Sequence, residues 1–467
     1  MFQVFQSVWK CAVCCAFAVV CLAQSDPGPR QGPAAAGKPL PDLTDGERNF
    51  FLFQGTPTFS EVESIADGLG PRFNLDSCGG CHIQPALGGS SPATNPQSAL
   101  AAVTAPGNTV PYFIQPTGPV RVARFLRNAD GSADGGVHDV FTITGRPDKP
   151  AGCSIQQPDF EAARLANNII FRIPTPTFGA GLIEAITETT IENSLASDPG
   201  GRKAALGIRG HVNRSGNDGT VARFGWKAQN KSLLMFAGEA YNVELGVTNE
   251  LFPNQREEDP GCAKVAAPAS HLAFTGGSVA PSDIMSFMGF MKFLDQPAPV
   301  SSFGGVDSAS IDRGRGIFVS VGCSLCHTPT LPTGASTTAA LANRHANLFS
   351  DLAVHHMGAT LADGVTQGAA GPDEFRTAPL WGIGQRLFFL HDGRTADLLE
   401  AIQAHFSGPG PCGPAADAPA AVTDSENGLS PARKAALCRS EANGVIRLFN
   451  GLAARDKQDL LNFLRSL

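Results

Sequence analysis

Cys78-Gly79-Gly80-Cys81-His82 and Cys323-Ser324-Leu325-Cys326-His327 each set two thiols three positions apart, with an imidazole directly after the second. Thiols at this spacing add to the two vinyl groups of a haem, and the adjoining His is delivered to the iron as proximal ligand. A redox dithiol needs no following His, and a structural zinc site wants two such pairs close together in sequence. The duplicated pattern therefore reads as two covalently bound c-type haems (iron). Cys78, Cys81, Cys323 and Cys326 carry the attachment, and His82 and His327 ligate the metal.

The elements around each motif must close over a haem face. Leu43 to Phe53 reads as a helix, with Thr44 as N-cap and Glu47 completing a capping box. Gly68 to Asn74 is a turn into the first motif. Ser308 or Ser310 caps a helix running to Val319 ahead of the second motif, and Asp456 to Leu467 is an amphipathic helix that suits packing against it. Ser282 to Leu294 is a helix whose Met285, Met288 and Met291 are read as core rather than ligands. Short strands are predicted at Val120 to Phe125, Val137 to Thr144 and Val221 to Phe224. A short helix is predicted over Gly181 to Asn193.

The fold class expected is mainly α and loop-rich: two cytochrome c-like haem domains, with a few short strands in the larger N-terminal one. The domain reading is residues 1–23 as signal peptide, 24–42 as flexible lead-in, 43–295 as N-terminal haem domain, 296–305 as linker and 306–467 as C-terminal haem domain. Residues 1–23 carry one charge, Lys10, before an apolar run too short to span a bilayer. Export to the periplasm or beyond follows, with no membrane span in the mature chain. In that compartment Cys153, Cys262, Cys412 and Cys438 default to disulfides; sequence neighbourhood suggests Cys153–Cys262 and Cys412–Cys438, though four cysteines allow three pairings.

The chain has 467 residues, 42% hydrophobic and 16% charged, with 52 Gly and 35 Pro. That is ample for a core and rich in loops. A formal charge of −7 without basic runs excludes nucleic acid as partner and suits a basic electron-transfer protein. Phe171-Arg172 followed by Pro176-Thr177-Phe178-Gly179-Ala180-Gly181 is echoed by Phe375-Arg376 followed by Pro379-Leu380-Trp381-Gly382-Ile383-Gly384, which suggests a duplicated module.

Phe375 to Ser407, with Phe375-Arg376-Thr377, Pro379, His391-Asp392-Gly393-Arg394 and Leu399-Glu400-Ala401-Ile402, resembles the C-terminal domain of the bacterial diheme cytochrome c peroxidases. Within that superfamily it is most similar to the diheme oxidoreductase family, also called thiol oxidoreductase-like. Gly68 to Asn74, Phe171 to Ile186 and Arg223-Phe224-Gly225-Trp226-Lys227 extend the resemblance to about Leu43 to Leu467. No spare C-x-x-C supports a thiol reaction.

The resemblance implies a second ligand to the C-terminal iron a short way after the His-Asp-Gly turn. His405 stands there, with Met357 a weaker rival, while His391 braces the pocket or a propionate. Family peroxidases can carry a removable His soon after the first motif, but no His lies between His82 and His138. Either His138 or His211 reaches the N-terminal iron from afar, or that iron is open; the open reading is preferred. Peroxide cleavage needs an acid/base group there, and Glu184, in the first-half copy of the repeat, is the candidate catalytic residue. Trp226 and Trp381 are candidates for the space between the haems, and Arg172, Arg376 and Arg394 for propionate pairing.

The function expected is an exported diheme oxidoreductase that reduces peroxide at the N-terminal haem. A small redox protein supplies electrons through the C-terminal haem. The alternatives are a relay with both irons six-coordinate, and an oxidase of an organic or protein substrate.

Overall fold

The computed structural model describes residues 24–104, 107–254, 261–262, 265, 267–270, 282–408 and 439–467. The predicted signal peptide and the Cys412–Cys438 pair lie outside them. The described chain is helix-rich, with four small antiparallel sheets of two or three strands and no closed sheet. None of its helices is long and apolar enough to cross a membrane.

Two crossed helix pairs carry the fold. In the first, Thr44 accepts the Glu47 N–H and Glu47 reaches back to the Thr44 N–H, starting the helix Asp45–Phe50 as read from sequence. The chain passes through a wider turn, Phe51–Gly55, into Thr56–Ser60. This arm packs on the helix Asp283–Phe293, which Ser282 caps. Contact is close because Gly55 faces the Phe290 backbone: a Cβ there would lie 3.2 Å from its N and Cα. Phe59 stacks on Phe290 at 4.3 Å. Met291 is buried in the same core, as expected, with Met288 packed at its edge.

The second pair repeats the plan. The helix Ser308–Val321 is capped by Asp307, not by Ser308 or Ser310, because the Asp307 carboxylate accepts the Ser310 N–H. It crosses the C-terminal helix Ala454–Ser466 at Gly314, where a Cβ would come within 1.9 Å of the Asp459 carbonyl oxygen. Phe318 meets Phe463 at 5.4 Å. Asp459 locks the crossing by accepting from Ser310 Oγ at 2.5 Å and Arg313 Nε at 2.7 Å. Each Phe buried here stabilises the pair by roughly 1.5–3 kcal/mol.

Three sequence expectations change. The strands are not confined to the N-terminal half: Leu331–Pro332 pairs with His345–Ala346, and Val354–His356 with Glu374–Arg376. Val221 to Phe224 is no strand; its ends make isolated bridges, Arg214 with Val221 and Phe224 with Asn230. The lead-in 24–42 is not a loose tail. Its Gly and Pro content suggested mobility, but Asp26 forms an ion pair with the buried Arg465 at 2.5 Å and accepts the Leu398 N–H. Further along, Arg30 N–H bonds Gly384 O and Leu40 N–H bonds Phe293 O. This strap thus ties both helix pairs together.

The main apolar core crosses the expected linker. Leu331, Leu341, Leu348, Leu352 and Trp381 pack with N-terminal residues, while Ile311, Phe318, Phe449 and Phe463 form a second cluster. Cys153 and Cys262 form the disulfide read from their neighbourhood. The Gly181 to Asn193 expectation resolves into two helices, Ala180–Ala185 and Glu188–Ala196.

Candidate functional site

The helix pairs place each Cys-x-x-Cys-His segment at the wall of its own cavity. The N-terminal cavity spans about 1200 Å³ counted to its mouth and is lined by Cys78, Cys81 and His82. The C-terminal one spans about 1390 Å³ and is lined by Cys323, Cys326 and His327. None of these four cysteines is in a disulfide.

The two motif histidines are held alike. His82 Nδ1 lies 2.9 Å from Gly89 O, and His327 Nδ1 lies 3.0 Å from Phe349 O. A carbonyl can only accept, so Nδ1 carries the hydrogen and Nε2 keeps its lone pair. Burial keeps both rings neutral, pushing His82 down and His327 to about 4, with the nearby His405 adding to the latter. Phe59 stands 6.1 Å from the His82 ring, and Phe318 stands 6.5 Å from His327.

His405 lines the C-terminal cavity and repeats the arrangement: its Nδ1 sits 2.8 Å from Ala401 O, and burial lowers its proton affinity. The helix Leu398–Gln403, capped by Asp397, carries it there. His391 lines the same cavity, stacked on Phe375 at 4.4 Å and driven to about 4 by burial. Met357 also lines it.

One further group has metal-site spacing among the described residues, Cys326, Asp351 and His355. It is better explained as an ion-pair cluster. His355 Nε2 bonds Asp351 at 3.0 Å and Nδ1 bonds Glu441 at 2.8 Å, so neither ring nitrogen has a lone pair to give. Burial opposes the charge, and the Asp351 carboxylate favours it.

The N-terminal cavity differs in its polar lining. His82 is the sole His on it among the described residues, and Arg124, Gln229, Glu239, Glu244 and Tyr241 supply the polarity. His138 stacks on Phe125 and pairs with Asp134, and His211 pairs with Glu374; neither lines this cavity. Glu239 accepts from Asn230 Nδ2, and Glu244 accepts from Asn74 Nδ2 at 3.1 Å. Both carboxylates come from the helix Leu233–Leu245, started by Ser232, which presents Glu239 inward.

Glu184 is not on the cavity. Its carboxylate accepts the Leu233 N–H at 2.7 Å, where the helix dipole favours negative charge. It supports the helix that carries Glu239 and Glu244. Nothing in the sequence separates a cavity glutamate from one at a helix start when both sit among apolar neighbours.

Trp226 lines both cavities, while its Nε1–H donates to Ile173 O at 2.9 Å. Trp381 lines neither and is buried in the core against Gly179. Next to Trp226, Lys227 is fully buried; its Nζ meets Gly371 O at 2.8 Å, Glu374 O at 2.9 Å and Asp363 at 3.1 Å. Burial pulls it down to about 8.

Haem fits both cavities on a test that the guanidinium groups provide. Arg376 Nη1 and Arg386 Nε and Nη2 are buried without hydrogen-bond partners, and both side chains line the C-terminal cavity. Burial pushes each to about 10, with Arg386 also acting on Arg376. Arg124 Nε is likewise unmet on the N-terminal cavity. Adjacent buried cations with unmet N–H groups call for anions, and a haem brings two propionates. Arg172 is instead taken up by Asp363 at 2.6 Å, and Arg394 by Asp392 at 2.7 Å. Of the three arginines expected from sequence, only Arg376 is available.

Residues 124–410 match the family model described as "Di-haem oxidoreductase, putative peroxidase". The chain belongs to the di-haem oxidoreductase family. The matched span holds the second motif, His405, Trp226 and both glutamates of the first cavity. No curated protein matches this di-haem oxidoreductase. A solved Kuenenia stuttgartiensis hydrazine synthase, pressurised with xenon, aligns over 100% of both chains at 13% identity and TM-score 0.34. That likeness is too weak to carry any argument.

Proposed function

We propose that this chain is an exported c-type cytochrome built of two cytochrome c-like units, each holding one covalently attached haem, and that it reduces peroxide at the N-terminal cavity. Electrons enter at the C-terminal cavity from a small redox protein. Two like units are supported by the repeated construction: a glycine crossing, a Phe ring beside the motif His, and an Nδ1 tied to a carbonyl.

The observation that carries the reading is the asymmetry between the cavities. The C-terminal one adds a second bare imidazole nitrogen, on His405, which suits a six-coordinate electron carrier. The N-terminal one offers carboxylates instead. Haem iron, when bound, supplies the centre at which a peroxide O–O bond is reduced.

The protein's own part is proton handling. Glu239 takes a proton from one peroxide oxygen and returns one to the leaving oxygen, held in place by Asn230. Arg124 lines the same space and favours developing negative charge there. Trp226, shared by both cavities, fills the gap that electrons must cross.

Electron-spin resonance of the purified protein tests the assignment. One high-spin and one low-spin signal, with two haem adducts by mass, is the expected result. Two low-spin irons in every redox state would instead mean a relay without turnover.

A further inference from the structure

The chain has two tyrosines. Tyr112 is 40% exposed, but Tyr241 is 1% exposed and lines the N-terminal cavity. Its hydroxyl does not serve packing alone. It donates to Glu63 Oε1 at 2.8 Å, with Asp283 Oδ2 at 3.5 Å. Asp283 in turn accepts from Ser270 Oγ at 3.4 Å. Glu63 itself is buried, and Phe287 meets the Tyr241 ring edge-on at 5.0 Å.

A phenol bonded to a buried carboxylate beside a redox cavity has the parts needed for proton-coupled oxidation. Tyrosine gives up an electron readily only if its proton has somewhere to go. Here the acceptor is already in hydrogen-bond contact. Glu63 is raised to about 7, by burial first and then by Asp283, Glu61 and Asp67, against the Tyr241 hydrogen bond. Glu63 and Asp283 stand at the Tyr241 hydroxyl, and negative charge there favours loss of an electron.

Trp226, the other oxidisable ring on this cavity, has the opposite surroundings. The Arg386 guanidinium lies 5.8 Å over its ring, and Lys227 follows it in the chain. Its Nε1–H faces a backbone carbonyl, which cannot take a proton. Positive charge and no base disfavour an oxidised indole.

We propose that Tyr241 is a redox-active side chain of the N-terminal cavity: it passes one electron into the cavity and its phenolic proton to Glu63, leaving a neutral tyrosyl radical. The phenolic O–H bond breaks and a carboxyl O–H bond forms. The oxidant is peroxide, so the inference rests on the peroxidase reading: H₂O₂ takes two electrons and two protons to give two waters. One electron is that from Tyr241, the other comes from the haem pair, and the two protons come from solvent by way of Glu239. Glu63 acts as a positioning residue that receives the proton. Trp226 is then a passage for electrons and not a place where the oxidising equivalent rests.

Freeze-quench electron-spin resonance of the full haem protein tests this, with hydrogen peroxide and, in parallel, the one-electron oxidant hexachloroiridate(IV). A tyrosyl signal is expected that survives Tyr112→Phe, vanishes in Tyr241→Phe and is largely lost in Glu63→Gln, with haem content and spin states unchanged in all three. Hexachloroiridate giving that Tyr241-dependent signal while peroxide gives none would support Tyr241 and overturn the peroxidase reading. An indole signal, or no signal that depends on Tyr241 with either oxidant, would overturn the proposal.

Discussion

On the proposed peroxide chemistry, exchanging Glu239 for Gln removes the acid/base group while keeping its shape and its contact with Asn230. General acid–base catalysis contributes about 10²–10⁴-fold. At about 1.36 kcal/mol per factor of ten, the barrier should rise by about 2.7–5.4 kcal/mol. Glu184→Gln makes the matching control. Its amide oxygen can still accept the Leu233 N–H, so only the charge at the helix start is lost, worth about 0.3–1 kcal/mol of stability and nothing in rate. Stopped-flow peroxide consumption by pre-reduced protein, normalised to haem content, reads both variants. A Glu184→Gln variant slowed a hundredfold beside a normal Glu239→Gln would show that cavity lining is the wrong criterion for the acid/base group.

His405→Ala should turn the C-terminal haem from low-spin to high-spin and leave the N-terminal signal alone; an unchanged low-spin spectrum would exclude His405 as ligand. Asp26→Ala strands Arg465, which is fully buried, and should cost roughly 3–5 kcal/mol in guanidinium unfolding, whereas a loss under about 1 kcal/mol would mean the strap is ornamental. The His355 cluster predicts the acid limb of stability. Glu441 is depressed from 4.5 to about 2; burial opposes this, and the hydrogen bond to His355 and its charge outweigh it. A depressed carboxyl stabilises the fold above its unfolded value, so its share should disappear as pH falls from about 4.5 towards 2. His356 is raised to about 9, first by its hydrogen bond to Asp373. Its share is therefore full below 6.5 and fades as pH climbs through about 9. Unfolding midpoints across pH check both limbs, and Glu441→Gln should flatten the acid one.

Much of the site's chemistry was legible because it is encoded locally. The Cys-x-x-Cys-His spacing, the Thr44–Glu47 capping box and the Cys153–Cys262 neighbourhood each depend on residues close in sequence or few in number. His405 could be placed because a short helix and a recognisable turn separate it from His391. Glu184 was chosen on the same kind of local signal, and there the signal was insufficient. A glutamate among apolar residues looks alike whether it faces a cavity or a neighbouring helix end. Arg124 and Arg386 carry no local signal, because an unmet guanidinium depends on its tertiary surroundings. The order of the lead-in is not legible locally, because Asp26 finds its partner Arg465 at the far end of the chain.

The amino-acid sequence by itself determined the duplicated Cys-x-x-Cys-His spacing, the helices that flank each motif and the family. Those are matters of spacing along a backbone with fixed periodicity. Only the tertiary structure decided which glutamates line the first cavity, which tryptophan lines both cavities, and which arginines are left without partners. These depend on which faces of distant segments meet. Burial then sets the charge each group can carry, and no local stretch of chain contains that information.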